Sequence, residues 1–375
     1  MSDPNSRQST PPDTPPDSSA EDSVDGPEPA SSQPKVLQVM AGAETGGAEA
    51  FFTRLTCALT RAGQDQQAVI RTHPARRAAL EEAGVPVTEL PFGGKFDLRT
   101  KKSLKKIAKA FDPDIVLVWM NRAAKVAPKG DWTVVGRLGG YYKLKNYKRC
   151  DHLIANTQDI RDYLLREGWP AERAWYLPNF VDDRRMPPVD RASLDTPEGV
   201  PLLLCLGRLH VNKGFDTALE TLAKLPEAYL WIAGEGREES ALKELAGRLG
   251  VAHRVRFLGW RDDAPALLAA ADVFFCSSRH EPLGNIVLEA WAQGVPIVAA
   301  ASQGPSQLIK DGKTGLLAPV DNPDALAKAF RRLLDDRALG HDMAGQAHEQ
   351  FTQHFSEGPV VAAYQRFFDA VARKR

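Results

Sequence analysis

Short apolar runs punctuate the chain at residues 35–40, 67–70, 85–90, 114–120, 132–136 and 152–155, alternating with stretches whose apolar positions recur at helical spacing. A second series occupies residues 201–206, 229–233, 254–258, 271–276, 295–300 and 315–317. Repetition of strand, helix and strand predicts parallel sheets covered by helices on both faces. The expected fold class is α/β, with two Rossmann-like doubly wound domains over residues 35–182 and 200–340. Residues 183–199 carry Pro187, Pro188 and Pro197 among many charges, the composition of an interdomain linker. Residues 341–375 are helical in pattern, and Val360, Val361, Tyr364, Phe367, Phe368 and Val371 fall on one stripe that should pack on the body. Ligand crevices in such sheets open outside the carboxyl ends of the strands, so two facing sheets would share one cleft.

A length of 375 residues and a hydrophobic content of 43% suit two soluble globular domains. No apolar run approaches the roughly 20 residues of a membrane-spanning helix, and the N-terminus lacks a secretory signal, so a cytoplasmic protein is expected. Cys57, Cys150, Cys205 and Cys276 are widely separated and read as reduced thiols rather than a zinc site or disulfide framework. The net charge of zero is unevenly spread. Residues 1–34 set seven acidic side chains against Arg7 and are rich in Pro and Ser, which predicts a disordered leader. Between residues 95 and 149 the balance reverses, with fifteen Lys or Arg facing four Asp. Such a surface would meet an acidic saccharide or an anionic membrane surface, giving peripheral attachment at the inner face of the cytoplasmic membrane. No nucleic-acid partner is expected.

The most informative chemistry lies in residues 279–300, where Glu281 and Glu289 flank a glycine that opens an otherwise apolar helix. Glu289 falls in the second helical turn on the face of Asn285, surrounded by Ile286, Val287, Leu288, Ala290 and Trp291. A carboxylate in apolar surroundings needs hydrogen-bond donors, and the hydroxyl groups of a sugar or ribose supply them. The helix start at Gly284 and Asn285 offers free N–H groups and the positive dipole end to a phosphate. Together these features point to a nucleotide-sugar. After the first strand of the second half, Gly207-Arg208 and Lys213-Gly214 deliver two cations suited to a diphosphate. Gly46-Gly47, after the first strand of the chain, permits close approach of backbone to ligand.

The spacing of Glu281 and Glu289, with Pro282-Leu283-Gly284 between them and Gly294-Val295-Pro296 after, resembles the Glu-x7-Glu signature of retaining glycosyltransferases of family 4. Gly207-Arg208 through Lys213-Gly214 is similar to that family's Gly-Arg-x4-Lys-Gly pattern, and Gly46-Gly47-Ala48-Glu49 to its Gly-Gly-x-Glu loop. The resemblance spans nearly all of residues 35–340, closely in the second half and loosely in the first. It implies the GT-B architecture and a metal-independent glycosyltransferase. It also implies Glu281, Arg208 and Lys213 as catalytic groups, and donor contacts from Gly46, Gly47, Arg208, Lys213, Glu281, Pro282, Leu283, Gly284, Asn285, Ile286 and Glu289. Retention without an evident nucleophile implies front-face attack by the acceptor hydroxyl. The implied partners are a nucleotide-sugar donor and a saccharide or glycolipid acceptor, with lipopolysaccharide or exopolysaccharide assembly as the setting.

Two departures stand out. Many family members carry a histidine where this chain reads Arg137-Leu138-Gly139-Gly140-Tyr141, and a glutamate where it has Gln307. Acceptor contacts are therefore expected from Asn121, Arg122, Arg137 and Tyr141. Asp112-Pro113-Asp114 precedes an apolar strand, so Asp114 is expected to cap a turn rather than to hold a metal, and no metal or other cofactor is required. A nucleotide-sugar epimerase, a sugar phosphorylase and a catalytically silent nucleotide-sugar binding protein are the alternatives. The first lacks clear acid and base carboxylates here, the second its cofactor lysine motif, and intact Arg208, Lys213, Glu281 and Glu289 argue against the third.

Overall fold

The structure, a computed structural model, describes residues 33–44, 46–93 and 97–372. The leader expected over residues 1–34 lies outside the described residues apart from its last two, as does Lys95 of the basic stretch. The first half runs β1 (Val36–Met40), α1 (Gly47–Arg61), β2 (Gln66–Arg71), α2 (Pro74–Glu82), β3 (Val87–Leu90), α3 (Leu98–Phe111), β4 (Ile115–Trp119), α4 (Met120–Val126), β5 (Thr133–Arg137), β6 (His152–Ala155), α5 (Gln158–Arg166) and β7 (Ala174–Tyr176). The second runs β8 (Leu202–Leu206), α6 (Phe215–Leu222), β9 (Tyr229–Ala233), α7 (Glu239–Arg248), β10 (Val255–Gly259), α8 (Ala264–Ala270), β11 (Val273–Cys276), α9 (Asn285–Gln293), β12 (Ile297–Ala300), α10 (Gln303–Leu308) and β13 (Leu316–Ala318). Helices α11 (Pro323–Asp335), α12 (Arg337–His354) and α13 (Glu357–Val371) complete it.

Both sheets are parallel, with strand orders β3-β2-β1-β4-β5-β6-β7 and β10-β9-β8-β11-β12-β13. In each, the chain winds outward from its first strand and then returns to that strand's other side. The reversal leaves a crevice at the carboxyl ends of β1 and β4 in one sheet and of β8 and β11 in the other.

Strands β1, β4, β8, β11 and β12 are buried at every position, which is why they read as apolar runs, whereas the edge strands β3 and β10 are partly exposed. In β8, Leu203 and Cys205 pack with Phe215, Leu219 and Phe330, while Leu202, Leu204 and Leu206 face Trp231, Leu288 and Trp291. Gln38 is the polar exception in β1. Its amide nitrogen donates to Gln66 Oε1 (3.1 Å) and its oxygen accepts from Trp119 Nε1 (2.9 Å), so its burial leaves neither group unpaired.

Residues 34–375 form one compact unit, and the last two helices link its two halves. Helix α12 lies against α9, whereas α13 packs with Phe51, Phe52 and Leu55 of α1 through Val360, Tyr364, Phe367 and Phe368. The stretch 183–199 is not a free tether: Val189 and Leu194 pack on the core of the second sheet, and Arg191 Nη2 donates to the Ala270 carbonyl (2.6 Å).

Two local features differ from the pattern reading. Met120 opens α4 with a φ of 59° instead of ending a strand, and β7 is a three-residue edge strand that its sequence does not announce. Asp112 ends α3 in a left-handed conformation, and Asp114 accepts the Lys35 N–H (2.8 Å), tying the start of β1 to that of β4. No helix among the described residues is long and apolar enough to cross a membrane.

Candidate active site

Loops from the second sheet build a cavity of about 290 Å³ lined in part by Arg208, Lys213, Trp260, Glu281, Asn285 and Glu289. Glycines set its floor. Gly234 (φ 141°) lies so close to the turn after β8 that a Cβ on it would strike the Gly207 carbonyl, and this contact brings Arg208 to the wall. Lys213 ends a short 3-10 turn, and Ser277 Oγ donates to its carbonyl (2.9 Å). Its Nζ pairs with Glu281, in the loop before α9. That ion pair is largely shielded from solvent, with 24% of the lysine side chain and 12% of the glutamate side chain exposed.

Gly284 (φ 69°) caps the N-terminus of α9 without help from any side chain, so the first N–H groups of that helix remain for a ligand. One turn on, Glu289 borders the same cavity while protein encloses its other sides. Burial pushes its carboxyl up to about 7, and the charge of Glu281 acts the same way; Arg54 and Lys213 oppose them.

A second cavity, of about 690 Å³, opens at the carboxyl ends of β1 and β4. Asn121 and Arg122 line it, together with Glu49, which is 7% exposed and accepts the Ala43 N–H (2.7 Å). Gly46 leaves room for that carboxylate, since a Cβ there would collide with Glu49; neither it nor Gly47 borders either cavity. Pro282, Leu283 and Gly284 also lie off the wall of the first cavity, and Leu283 packs on the core of the first half.

Arg137 does not serve as an acceptor contact. It is 1% exposed, with its guanidinium 4.5 Å from the ring centroids of both Phe51 and Trp119. Nε donates to Tyr364 Oη (2.8 Å) and Nη2 to Asn179 Oδ1 (2.5 Å). Tyr141 is also away from the cavity: its hydroxyl is bound to Asp159, and its neighbour Tyr142 is the one on the wall.

The chain matches two family models, "Glycosyltransferase Family 4" over residues 45–185 and "Glycosyl transferases group 1" over residues 188–350. A lipopolysaccharide core biosynthesis glycosyltransferase of Rhizobium meliloti, LpsE, is 38% identical over 324 residues, 85% of this chain and 94% of that protein. A second from the same organism, LpsD, is 34% identical over 347 residues, 91% of this chain and all of that protein. This chain is a family 4 glycosyltransferase. Its fold is GT-B: the Anabaena protein Alr3699/HepE, solved in complex with UDP, superposes with a TM-score of 0.78 at 22% identity, covering 90% of this chain and all of that one.

In the transferase, α1 runs between the two cavities. Its first turn gives Glu49 to the cavity of the first half, and Arg54 lies near enough to Glu289 to favour that carboxylate's ionised form. Arg54 also donates to the Phe180 carbonyl (3.0 Å), and Asn179 Nδ2 donates to Asn285 Oδ1 (3.0 Å) at the start of α9. Glu49 stands in the Gly-Gly-x-Glu loop noted in the sequence, which marks the loop without fixing a role for its carboxylate. Arg54 had no local signal, because its significance comes only from the approach of a helix of the other half.

Proposed function

We propose that this glycosyltransferase moves a sugar from a nucleotide-sugar to a saccharide or glycolipid acceptor of the lipopolysaccharide core, retaining the anomeric configuration. The observation that carries the reading is the convergence of Arg208, Lys213, Glu281 and Glu289 with the start of α9 on one cavity. Arg208, Lys213 and the N–H groups of Asn285 and Ile286 take the diphosphate, whose charge grows as the glycosidic C–O bond breaks. Glu281 holds sugar hydroxyls and faces the positive charge developing at the anomeric carbon. Glu289 accepts from the ribose, and Trp260, 71% exposed at the rim, offers a stacking surface to the base. The acceptor oxygen attacks from the face that the diphosphate leaves, and the departing phosphate oxygen takes its proton. No metal enters this scheme, because the two cations and the helix terminus balance the phosphate charge. The lipopolysaccharide setting rests on the two Rhizobium relatives.

Turnover assays on a panel of UDP-, GDP- and ADP-sugars test this, with UDP first because the structural relative holds it. Acceptor-dependent release of nucleoside diphosphate is expected, with an anomerically retained product by NMR. Arg208→Ala and Lys213→Ala should each lower kcat by about a hundredfold or more. Wild-type turnover in both variants would remove the assigned roles, and an inverted product would remove the front-face scheme.

A further inference from the structure

The cavity at the carboxyl ends of β1 and β4 carries four cations, Arg71, Lys101, Arg122 and Lys125, and one carboxylate, Glu49. All four cations are exposed, and none forms a salt bridge among the described residues. They converge from three elements: Arg71 ends β2, Lys101 is in the first turns of α3, and Arg122 and Lys125 stand three residues apart on α4. The turn that aims α4 is strained. Met120 holds a φ of 59°, a conformation that non-glycine residues seldom adopt, and the chain passes directly from the end of β4 into a helix whose first turn borders the cavity.

We infer that this cavity selects an acceptor saccharide bearing a carboxylate or phosphate next to its accepting hydroxyl, with Glu49 holding hydroxyls and Arg71, Lys101, Arg122 and Lys125 holding the anionic group. The inference rests on the glycosyl-transfer reading above and adds the acceptor's chemical class. A neutral sugar would give four like charges in one concavity nothing to neutralise, whereas an anionic group gains charge-assisted hydrogen bonds from them. Glu49 divides the labour within the cavity: as a buried carboxylate with one backbone N–H already bound, it has lone pairs left for hydroxyl donors and repels anions from its own end. The separation of acid at the base from cations around it orients a saccharide that carries both kinds of group.

The probe is deacylated lipopolysaccharide core oligosaccharide, titrated calorimetrically against the whole chain in four forms: untreated, dephosphorylated with hydrofluoric acid, carboxyl-reduced, and treated both ways. The untreated form should bind and the doubly neutralised form should bind at least about tenfold more weakly, with the single treatments showing which anion matters. In Lys101→Gln/Lys125→Gln, whose altered side chains are both exposed, affinity for the untreated form should fall by about tenfold and that for the doubly neutralised form should not change. Equal wild-type affinity for the charged and neutralised forms overturns the inference without reliance on any variant. So does binding to phosphatidylglycerol vesicles that depends on these lysines while oligosaccharide binding does not, since the cations would then serve a lipid surface. Nucleoside diphosphate binding at the other cavity separates the two readings: intact there with no charge dependence here, only this inference fails; absent for every nucleotide and nucleotide-sugar, the transfer reading fails.

Discussion

At the scale of single residues, the unusual cost lies in Glu289. Its carboxyl is raised from 4.5 to about 7, first by burial and then by the charge of Glu281. A folded-state value above the unfolded one means that folded protein binds the extra proton, so this group's contribution to stability falls as pH rises from about 4.5 to 7. Ligand binding runs the other way. On the proposed reading, ribose hydroxyls would donate to the ionised carboxylate, so the nucleotide would favour the deprotonated form and draw the pKa back down. Nucleoside diphosphate affinity should therefore rise by up to about tenfold between pH 6 and pH 8, with proton release on binding near pH 6. Calorimetry in buffers of different ionisation enthalpy measures both quantities. Glu289→Gln should flatten the profile, and an unchanged slope in that variant would show that another group titrates.

At the scale of elements, the aim of α9 depends on one glycine. Gly284 sits at φ 69°, and a Cβ there would lie 2.7 Å from Leu308 Cδ1 and 3.2 Å from the Gly304 carbonyl carbon. Gly284→Ala should thus cost about 1–2 kcal/mol for the left-handed conformation alone, lower the thermal unfolding midpoint and weaken nucleotide binding, because the helix start must shift away from α10. A variant with native affinity and midpoint would show that the turn adapts freely. The same elements show what was legible beforehand. Every apolar run marked as a strand overlaps one; the inner strands, buried on both faces, have no polar alternation to disguise them, whereas an edge strand such as β3 exposes a polar position. The helix from Asn285 and its two carboxylates were likewise readable, because the glycine, the apolar surround and the acid spacing are local. Arg137 was misread for the opposite reason: a cation at the end of a strand resembles a ligand contact until Phe51, Trp119 and Tyr364, the last from 227 residues on, are seen to enclose it.

At the scale of the whole molecule, that buried arginine belongs to a chain of side-chain hydrogen bonds joining three parts of the fold. Tyr364 of α13 accepts from Arg137 at the end of β5, Arg137 donates to Asn179, and Asn179 donates to Asn285 at the first position of α9. The final helix, the first sheet and α9 are therefore registered through one amide that acts as acceptor on one side and donor on the other. Among the described residues Arg137 has no carboxylate partner, so two aromatic faces and these oxygens offset its burial, and loss of Asn179 leaves a cation with one fewer acceptor. Asn179→Ala should destabilise by about 1–3 kcal/mol, and Asn285→Ala by less, since Asn285 stands at a partly exposed helix start. If the link registers the halves, the double variant should be less destabilised than the two singles predict, with a coupling of about 0.5–1.5 kcal/mol in denaturant unfolding. The Asn179→Ala variant should also bind nucleoside diphosphate more weakly although Asn179 does not line that cavity, because Asn285 loses the donor that fixes its side chain. Additive stabilities with native nucleotide affinity would show that the packing of α13 on α1 holds the two halves in register unaided.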